Sequence, residues 1–96
     1  MVIEILRFRL AAGVAESAFL AADKRVQAEF AYRQPGLLRR TTARGPDQSW
    51  AVIDLWSDEA DADRASARWG QDAATEALMA LVDGASVTSE RFATLD

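Results

Sequence analysis

The chain has 96 residues, half of them hydrophobic and 27% charged, with a net charge of −4. This is the composition of a folded globular chain, neither disordered nor membrane-embedded, and the acidic surplus argues against a nucleic-acid partner, whose phosphates call for clustered Lys and Arg. There is no cysteine and no histidine, which excludes disulfides, thiolate chemistry and Cys–zinc sites and removes the commonest general base, metal ligand and proximal haem ligand.

The length suits one domain, residues 1–96, with one modest core. Val2 to Leu10 reads as a strand, with Val2, Leu6, Phe8 and Leu10 on one face and Ile3, Ile5, Arg7 and Arg9 on the other. Glu4 is the exception on the apolar face and is expected near the strand end or against an arginine of a neighbouring strand. Ala11 to Gly13 turns the chain. Val14 to Arg33 predicts a helix, with Phe19, Ala22, Val26 and Phe30 as its apolar stripe. Glu16 and Asp23 in its first half and Arg33 in its last turn suit the helix dipole. Pro35-Gly36 stops it.

Leu37 to Arg44 and Ser49 to Trp56 predict two strands of a hairpin around Gly45-Pro46-Asp47. Ser57 is the expected cap of a second helix, with Asp58 and Glu59 in its first turn. That helix runs to about Trp69, breaks at Gly70-Gln71-Asp72 and continues from Ala73 to Val82. Asp83-Gly84 ends it. Ala85 to Phe92 is the last strand, and Ala93 to Asp96 a short tail.

The order β-α-β-β-α-β gives an α+β, ferredoxin-like fold, a four-stranded antiparallel sheet with its helices on one face. Neither face of the third strand is polar. Trp50, Val52 and Trp56 share one face with Asp54 alone among them, and Ala51, Ile53 and Leu55 share the other. A sheet face of this size, roughly 400 Å² in projection, is near the upper limit of what a monomer exposes. Two tryptophans on one strand face add weight to the expectation of a homodimer paired through the sheet face. Glu4, Arg7 and Arg9 break up the start as a signal sequence, and no apolar stretch spans a bilayer. A cytoplasmic protein with no membrane partner is the expectation.

Several segments together resemble a known family. Gln34-Pro35-Gly36-Leu37-Leu38-Arg39-Arg40, Val52-Ile53-Asp54-Leu55-Trp56-Ser57-Asp58-Glu59-Ala60 and Ser89-Glu90-Arg91-Phe92 resemble the dimeric α/β-barrel superfamily and, within it, the antibiotic biosynthesis monooxygenase-like domains. The resemblance covers nearly the whole chain. It implies a dimeric α/β barrel with a pocket in each subunit between sheet and helices. Members include cofactor-free quinol monooxygenases, haem-degrading monooxygenases, isomerases and decarboxylases. The quinol enzymes carry a tryptophan at the position matching Trp56, with asparagine at that of Val52 and tyrosine at that of Ala62; this chain keeps the tryptophan alone. The haem-degrading members need a histidine, which it lacks.

The candidate pocket residues are Trp69, Trp56, Tyr32, Gln27 and Arg40; no catalytic residue is assigned. Trp56 is packing or an aromatic wall. Trp69, before the helix break, is the best single candidate for ligand contact, against core filling. Tyr32 donates a proton or holds a ring, or straddles core and solvent. Gln27 faces the sheet or solvent. Arg7, Arg9, Arg40 and Arg91 converge on an anionic ligand or form intersubunit ion pairs with Glu4, Asp54 or Glu90. The acidic run Asp58, Glu59, Asp61 and Asp63 lacks the spacing of a calcium loop and reads as a helix start, with Asp61 pairing Arg64. The expected function is a small-molecule enzyme resembling cofactor-independent quinol-type monooxygenases. It would act on an aromatic or polyketide-like substrate and use no cofactor or metal. The alternative is a non-catalytic dimeric module binding a hydrophobic metabolite or a protein. RNA binding ranks last, because the strand aromatics lack flanking glycine and basic residues.

Overall fold

Alternation along the two central strands decides which face of the sheet is covered. In the computed structural model, which describes residues 1–95, β1 (Val2–Arg9), β2 (Leu37–Arg44), β3 (Ser49–Trp56) and β4 (Thr88–Ala93) form one antiparallel sheet in the order β2-β3-β1-β4. β1 and β3 pair with Val2 opposite Trp56, Glu4 opposite Asp54, Leu6 opposite Val52 and Phe8 opposite Trp50. These even-numbered residues lie on one face. They meet α1 (Glu16–Glu29), α2 (Glu59–Arg68) and α3 (Ala73–Met79). The result is the ferredoxin-like arrangement, with the second helix in two pieces.

The core is built in two clusters. The larger joins Phe8, Trp50 and Val52 of the sheet to Phe19 and Val26 of α1 and to Ala74 and Leu78 of α3. Phe19 sits at its centre, tilted against both Phe8 and Trp50 with ring centroids 5.6 and 4.8 Å away. The smaller packs Trp56 on Ala62 and Ala65 of α2. Small residues on α2 let the helix come close enough to cover the indole.

The structure revises several sequence expectations. The first helix ends at Glu29, and Ala31–Arg33 is a separate 3-10 turn. Phe30 has φ −127° and ψ −64°, outside the helical region, though its N–H still bonds Val26 O. α2 is capped by Asp58, whose carboxylate accepts the Asp61 N–H at 2.8 Å, not by Ser57. α3 stops at Met79 instead of Val82, and Gly84–Ser86 forms a 3-10 turn before β4. There the chain is tied to the end of β1, by Ala11 N–H to Leu81 O at 2.8 Å and Asp83 N–H to Arg9 O at 2.9 Å.

The tryptophans also change role. Trp50 and Trp56 are buried beneath the helices of the same chain, so they give no reason for a dimer. The apolar residues left on the open face are Ile3, Ile5, Ile53, Leu55 and Phe92. Arg40 and Arg91 do not join Arg7 and Arg9. Arg91 pairs in register with Glu4, and Arg40 with Asp54, which puts both on the helix-covered face. Arg40 reaches that face through a bulge. Leu37 opposes Trp56, Arg39 opposes Leu55, and the extra residue Leu38 between them corrects the phase.

Phe19→Ala is expected to destabilise the fold by about 3–5 kcal/mol, because it empties the contact point of the two rings. Leu20→Ala, one residue on but 45% exposed, is expected to change stability by less than about 0.5 kcal/mol. Urea unfolding of the two variants checks the contrast.

Candidate functional site

A row of charges crosses the covered face of the sheet. In register from edge to edge it reads Arg91 on β4, Glu4 on β1, Asp54 on β3 and Arg40 on β2. The two arginines come from the edge strands and the two carboxylates from the centre. Arg91 Nε donates to Glu4 Oε2 at 2.8 Å. It also pairs with Asp63 and, at 3.8 Å, with Glu59 of α2. Hydrogen bonds to Asp63 and Glu4 hold its guanidinium further toward the charged form. Arg40 Nη2 donates to Asp23 Oδ1 of α1 at 2.7 Å, with both side chains buried. Thr42 Oγ1 donates to the other oxygen of Asp23, also at 2.7 Å.

Asp54 is left over. It is 8% exposed, and its Oδ1 is buried without a hydrogen-bond partner. Arg40 Nε lies 3.9 Å from that oxygen, too far for a hydrogen bond, while the same guanidinium bonds Asp23 through Nη2. Burial pushes the Asp54 carboxyl up to about 7; Arg40 pulls it down, and Glu4 and Asp23 push it further up. Two residues along the same face, the Nε1–H of Trp56 is likewise buried without a partner.

The residues that carry them, Asp54 and Trp56, are among those lining a cavity of about 450 Å³ between the sheet and the helices. Its walls are otherwise mostly apolar, from Leu6, Phe8 and Val52 on the sheet to Phe30, Leu78 and Val82 beyond it. Trp69, Met79 and Val87 line it and are exposed, which places the mouth between the end of α2, the end of α3 and the start of β4. Trp69 is held edge-on to Phe30, with ring centroids 5.4 Å apart. The break after Trp69 depends on Gly70, at φ +83°. Its N–H is taken by Thr75 Oγ1 at 3.0 Å. An apolar enclosure with few converging polar groups is the usual form of a small-molecule site.

The sequence candidates divide. Trp56, Trp69 and Arg40 lie on the cavity wall. Tyr32 and Gln27 are not among its lining residues. The Tyr32 side chain is half exposed, and its hydroxyl accepts the Arg40 N–H at 2.8 Å and donates to the Arg40 carbonyl at 3.2 Å. It ties the 3-10 turn to β2. Gln27 is half-buried on α1. The anion site imagined for four arginines is not assembled. Arg7 pairs with Glu90 on the open face, and the ion pairs of Arg7, Arg40 and Arg91 are made within one chain, not between subunits. Asp61 does pair with Arg64. Sequence reasoning missed Asp54 as a site residue. Its signal was there, an acid at an inward position between Val52 and Trp56. Among the described residues no group of three or more Asp, Glu, His or Cys could hold a metal ion. Among them, too, no helix is long and apolar enough to cross a membrane.

No protein-family model and no curated protein matches the sequence. Solved structures do. SnoaB, a cofactor-independent oxygenase from Streptomyces nogalater, matches with a TM-score of 0.79 and 30% identity over 99% of this chain and 93% of its own. A structure described as an antibiotic biosynthesis monooxygenase matches with a TM-score of 0.73 and 14% identity over 100% of both chains. Rv0793 from Mycobacterium tuberculosis matches with a TM-score of 0.68 and 18% identity, over 99% of this chain and 95% of its own. The last two speak for the fold; the first, at its higher identity, speaks for the family.

If Asp54 is protonated in the fold to about 7 but ionises near 4 when unfolded, the native state holds the extra proton between those values. Stability contributed by this group is then full below about pH 4 and falls as pH rises to about 7. Asp54→Asn removes that slope. The stability of the variant relative to wild type should rise by on the order of 2 kcal/mol between about pH 5 and pH 8, measured by urea unfolding across that range. A constant difference would contradict the burial of an unpartnered carboxyl.

Proposed function

The chain belongs to the antibiotic biosynthesis monooxygenase-like family of the dimeric α/β-barrel superfamily, and from that membership we propose that it is a small-molecule enzyme, a cofactor-independent oxygenase of an aromatic or polyketide-like substrate. The observation that carries this reading is the cavity itself, about 450 Å³ of mostly apolar space whose lining includes Trp56, the indole N–H of which has no partner. A dihydroxyaromatic fits such a space. Its anion supplies the electrons. It passes one to dioxygen, and the radical pair recombines as a peroxide at an open ring carbon. Loss of water then leaves a hydroxyquinone. One oxygen atom enters the product, the other leaves as water, and the substrate is its own reductant.

The protein's share is enclosure and orientation. Water-poor walls strengthen every polar contact made inside them. Trp56 Nε1–H donates to the substrate oxygen that carries the charge, a fixed dipole in a dry site. Trp69, braced edge-on by Phe30, closes on the ring at the mouth. The working unit we propose is a cytoplasmic homodimer of single-domain subunits, paired through the open sheet face by Ile3, Ile5, Ile53, Leu55 and Phe92. A second reading, a non-catalytic module binding a hydrophobic metabolite, draws on Val52 and Ala62. Both are buried and apolar where the quinol enzymes that the sequence resembles carry polar side chains.

Oxygen uptake with a panel of dihydroxyaromatics separates the two readings. The protein is expected to accelerate uptake over autoxidation with chelator present, and to place one atom of labelled dioxygen in the quinone. Trp69→Ala is expected to raise KM several-fold. Unchanged autoxidation across the panel sinks the oxygenase; thermal stabilisation by the same compounds without uptake supports the binding module. For the dimer, native mass spectrometry of wild type is expected to give two subunits and Ile53→Asp one. A monomeric wild type refutes the pairing.

A further inference from the structure

Of the three carboxylates at the row, Glu4 and Asp54 within it and Asp23 from α1, two have dedicated cations and one does not. Glu4 has Arg91, and Asp23 has Arg40. Asp54 stands between the two pairs, 8% exposed as a residue, with Oδ1 unpartnered, and it is among the residues lining the cavity. A buried acceptor without a donor is costly to the fold. A ligand that brings an O–H relieves that cost, and the surroundings select what kind of ligand it is. A cationic ligand is opposed by Arg40, whose Nε is 3.9 Å from the free oxygen. An anionic one is opposed by the Asp54 charge. A neutral hydroxyl on an apolar ring meets neither objection.

We infer that Asp54 is the proton acceptor of this cavity, taking the proton from the phenolic hydroxyl of a neutral hydroxyaromatic ligand. The O–H bond of the ligand breaks, a bond from the proton to the Asp54 carboxylate forms, and the electron pair stays on the ligand oxygen. The pair carries one negative charge before and after. No new charge is created in the dry cavity, so the step avoids the desolvation cost that ionising a phenol there alone would meet. The groups facing Asp54 adjust the balance: Arg40 from β2 favours its ionised form, while Glu4 from β1 and Asp23 from α1 favour its protonated form. Burial raises the carboxyl most, and the resulting value, about 7, is where a general base is both ionised and basic enough to act. The inference takes its ligand class from the oxygenase reading. It adds that the anion is made in the cavity, not recruited from solution.

A matched pair of probes tests this without turnover. At about pH 8, 2-naphthol is neutral and can donate; 2-methoxynaphthalene is nearly the same shape and cannot. Equilibrium dialysis on the wild-type chain is expected to show 2-naphthol bound at least tenfold more tightly. Asp54→Leu is expected to bring the two within about threefold by weakening the naphthol alone. Asp54→Asn, which keeps the shape if the leucine variant does not fold, is expected to lose most of the preference too. Equal binding by wild type, binding of neither probe, or a preference that survives both substitutions would overturn the inference. Oxygen uptake reads the larger proposal separately. With Asp54→Asn, turnover of weakly acidic hydroxyaromatics is expected to fall about 10²-fold or more, and that of substrates already ionised in solution far less. A wild type that keeps its naphthol preference but consumes no oxygen defeats the oxygenase and leaves the proton acceptor standing. An Asp54→Asn variant that oxidises weak acids at the wild-type rate does the reverse.

Discussion

The arrangement depends on one desolvated row of charges laid across four strands. Arg91, Glu4, Asp54 and Arg40 sit in register on the covered face, where charges are expensive unless paired. That cost is met by reaching outward. Arg40 takes Asp23 from α1, and Arg91 takes Asp63 and Glu59 from α2. The same ion pairs therefore fix both edge strands and two helices to the centre of the sheet. They also divide the interior. The Phe19 cluster fills one side and the Trp56 cluster the other, and the cavity opens between them with the row as part of its wall.

The row requires its strands to be in phase, and a single residue keeps them so. Side chains alternate along a strand, so a shift of one position sends every side chain to the opposite face. Leu37 must face inward beside Trp56, and Arg40 must face inward beside Asp54; strict alternation cannot give both. The extra residue at Leu38 resolves the conflict. Gly36, at φ +85°, starts this irregular stretch, and a Cβ there would collide with the Asp61 side chain. The turn from the first helix into β2 is thus shaped by close contact with the start of α2, and its phase decides whether Arg40 reaches Asp23.

Element order was legible because periodicity is local. The apolar alternation of β1 and β3, the Phe19–Val26 stripe and the Gly70 break needed only their own neighbours in sequence. Side-chain partners were not legible in the same way. Asp23 carried the pattern of a solvated acid in the first half of a helix, and only the crossing of α1 over β2 shows that it is buried on Arg40. Arg40 seemed to belong with Arg7 and Arg9 because parity without a bulge puts it there. Trp50 and Trp56 looked like a face awaiting a partner, since a sequence shows that a strand is apolar on both sides but not which side its own helices cover. Trp56, Trp69 and Arg40 were named from local cues of aromaticity and charge. In the sequence Asp54 is only an exception on an apolar face, because its significance lies in what every other charge nearby is already doing.

That last point bears on why the carboxylate is there at all. A side chain that is protonated more readily in the fold than out of it lowers stability as the pH approaches neutrality. Asn would fit the same space without that cost, and a hydrophobic residue beside Val52 would extend the core. Nothing in the packing of β3 calls for an acid at its centre. Arg40 keeps Asp23, and Arg91 keeps Glu4 and α2, so removing the Asp54 charge takes from the arginines only the 3.9 Å contact of Arg40 Nε. A group that strains the fold, meets its one nearby cation only at 3.9 Å and belongs to a cavity wall is a candidate for contact with what enters the cavity. The polar positions of the quinol enzymes that the sequence resembles, those of Val52 and Ala62, are apolar here. The unpartnered polar groups here are Asp54 and Trp56, one acceptor and one donor on a shared face of β3. In the reading we propose, proton removal and charge stabilisation fall to neighbouring side chains on the most buried strand of the sheet, and substrate selection to the mouth formed by Trp69, Met79 and Val87.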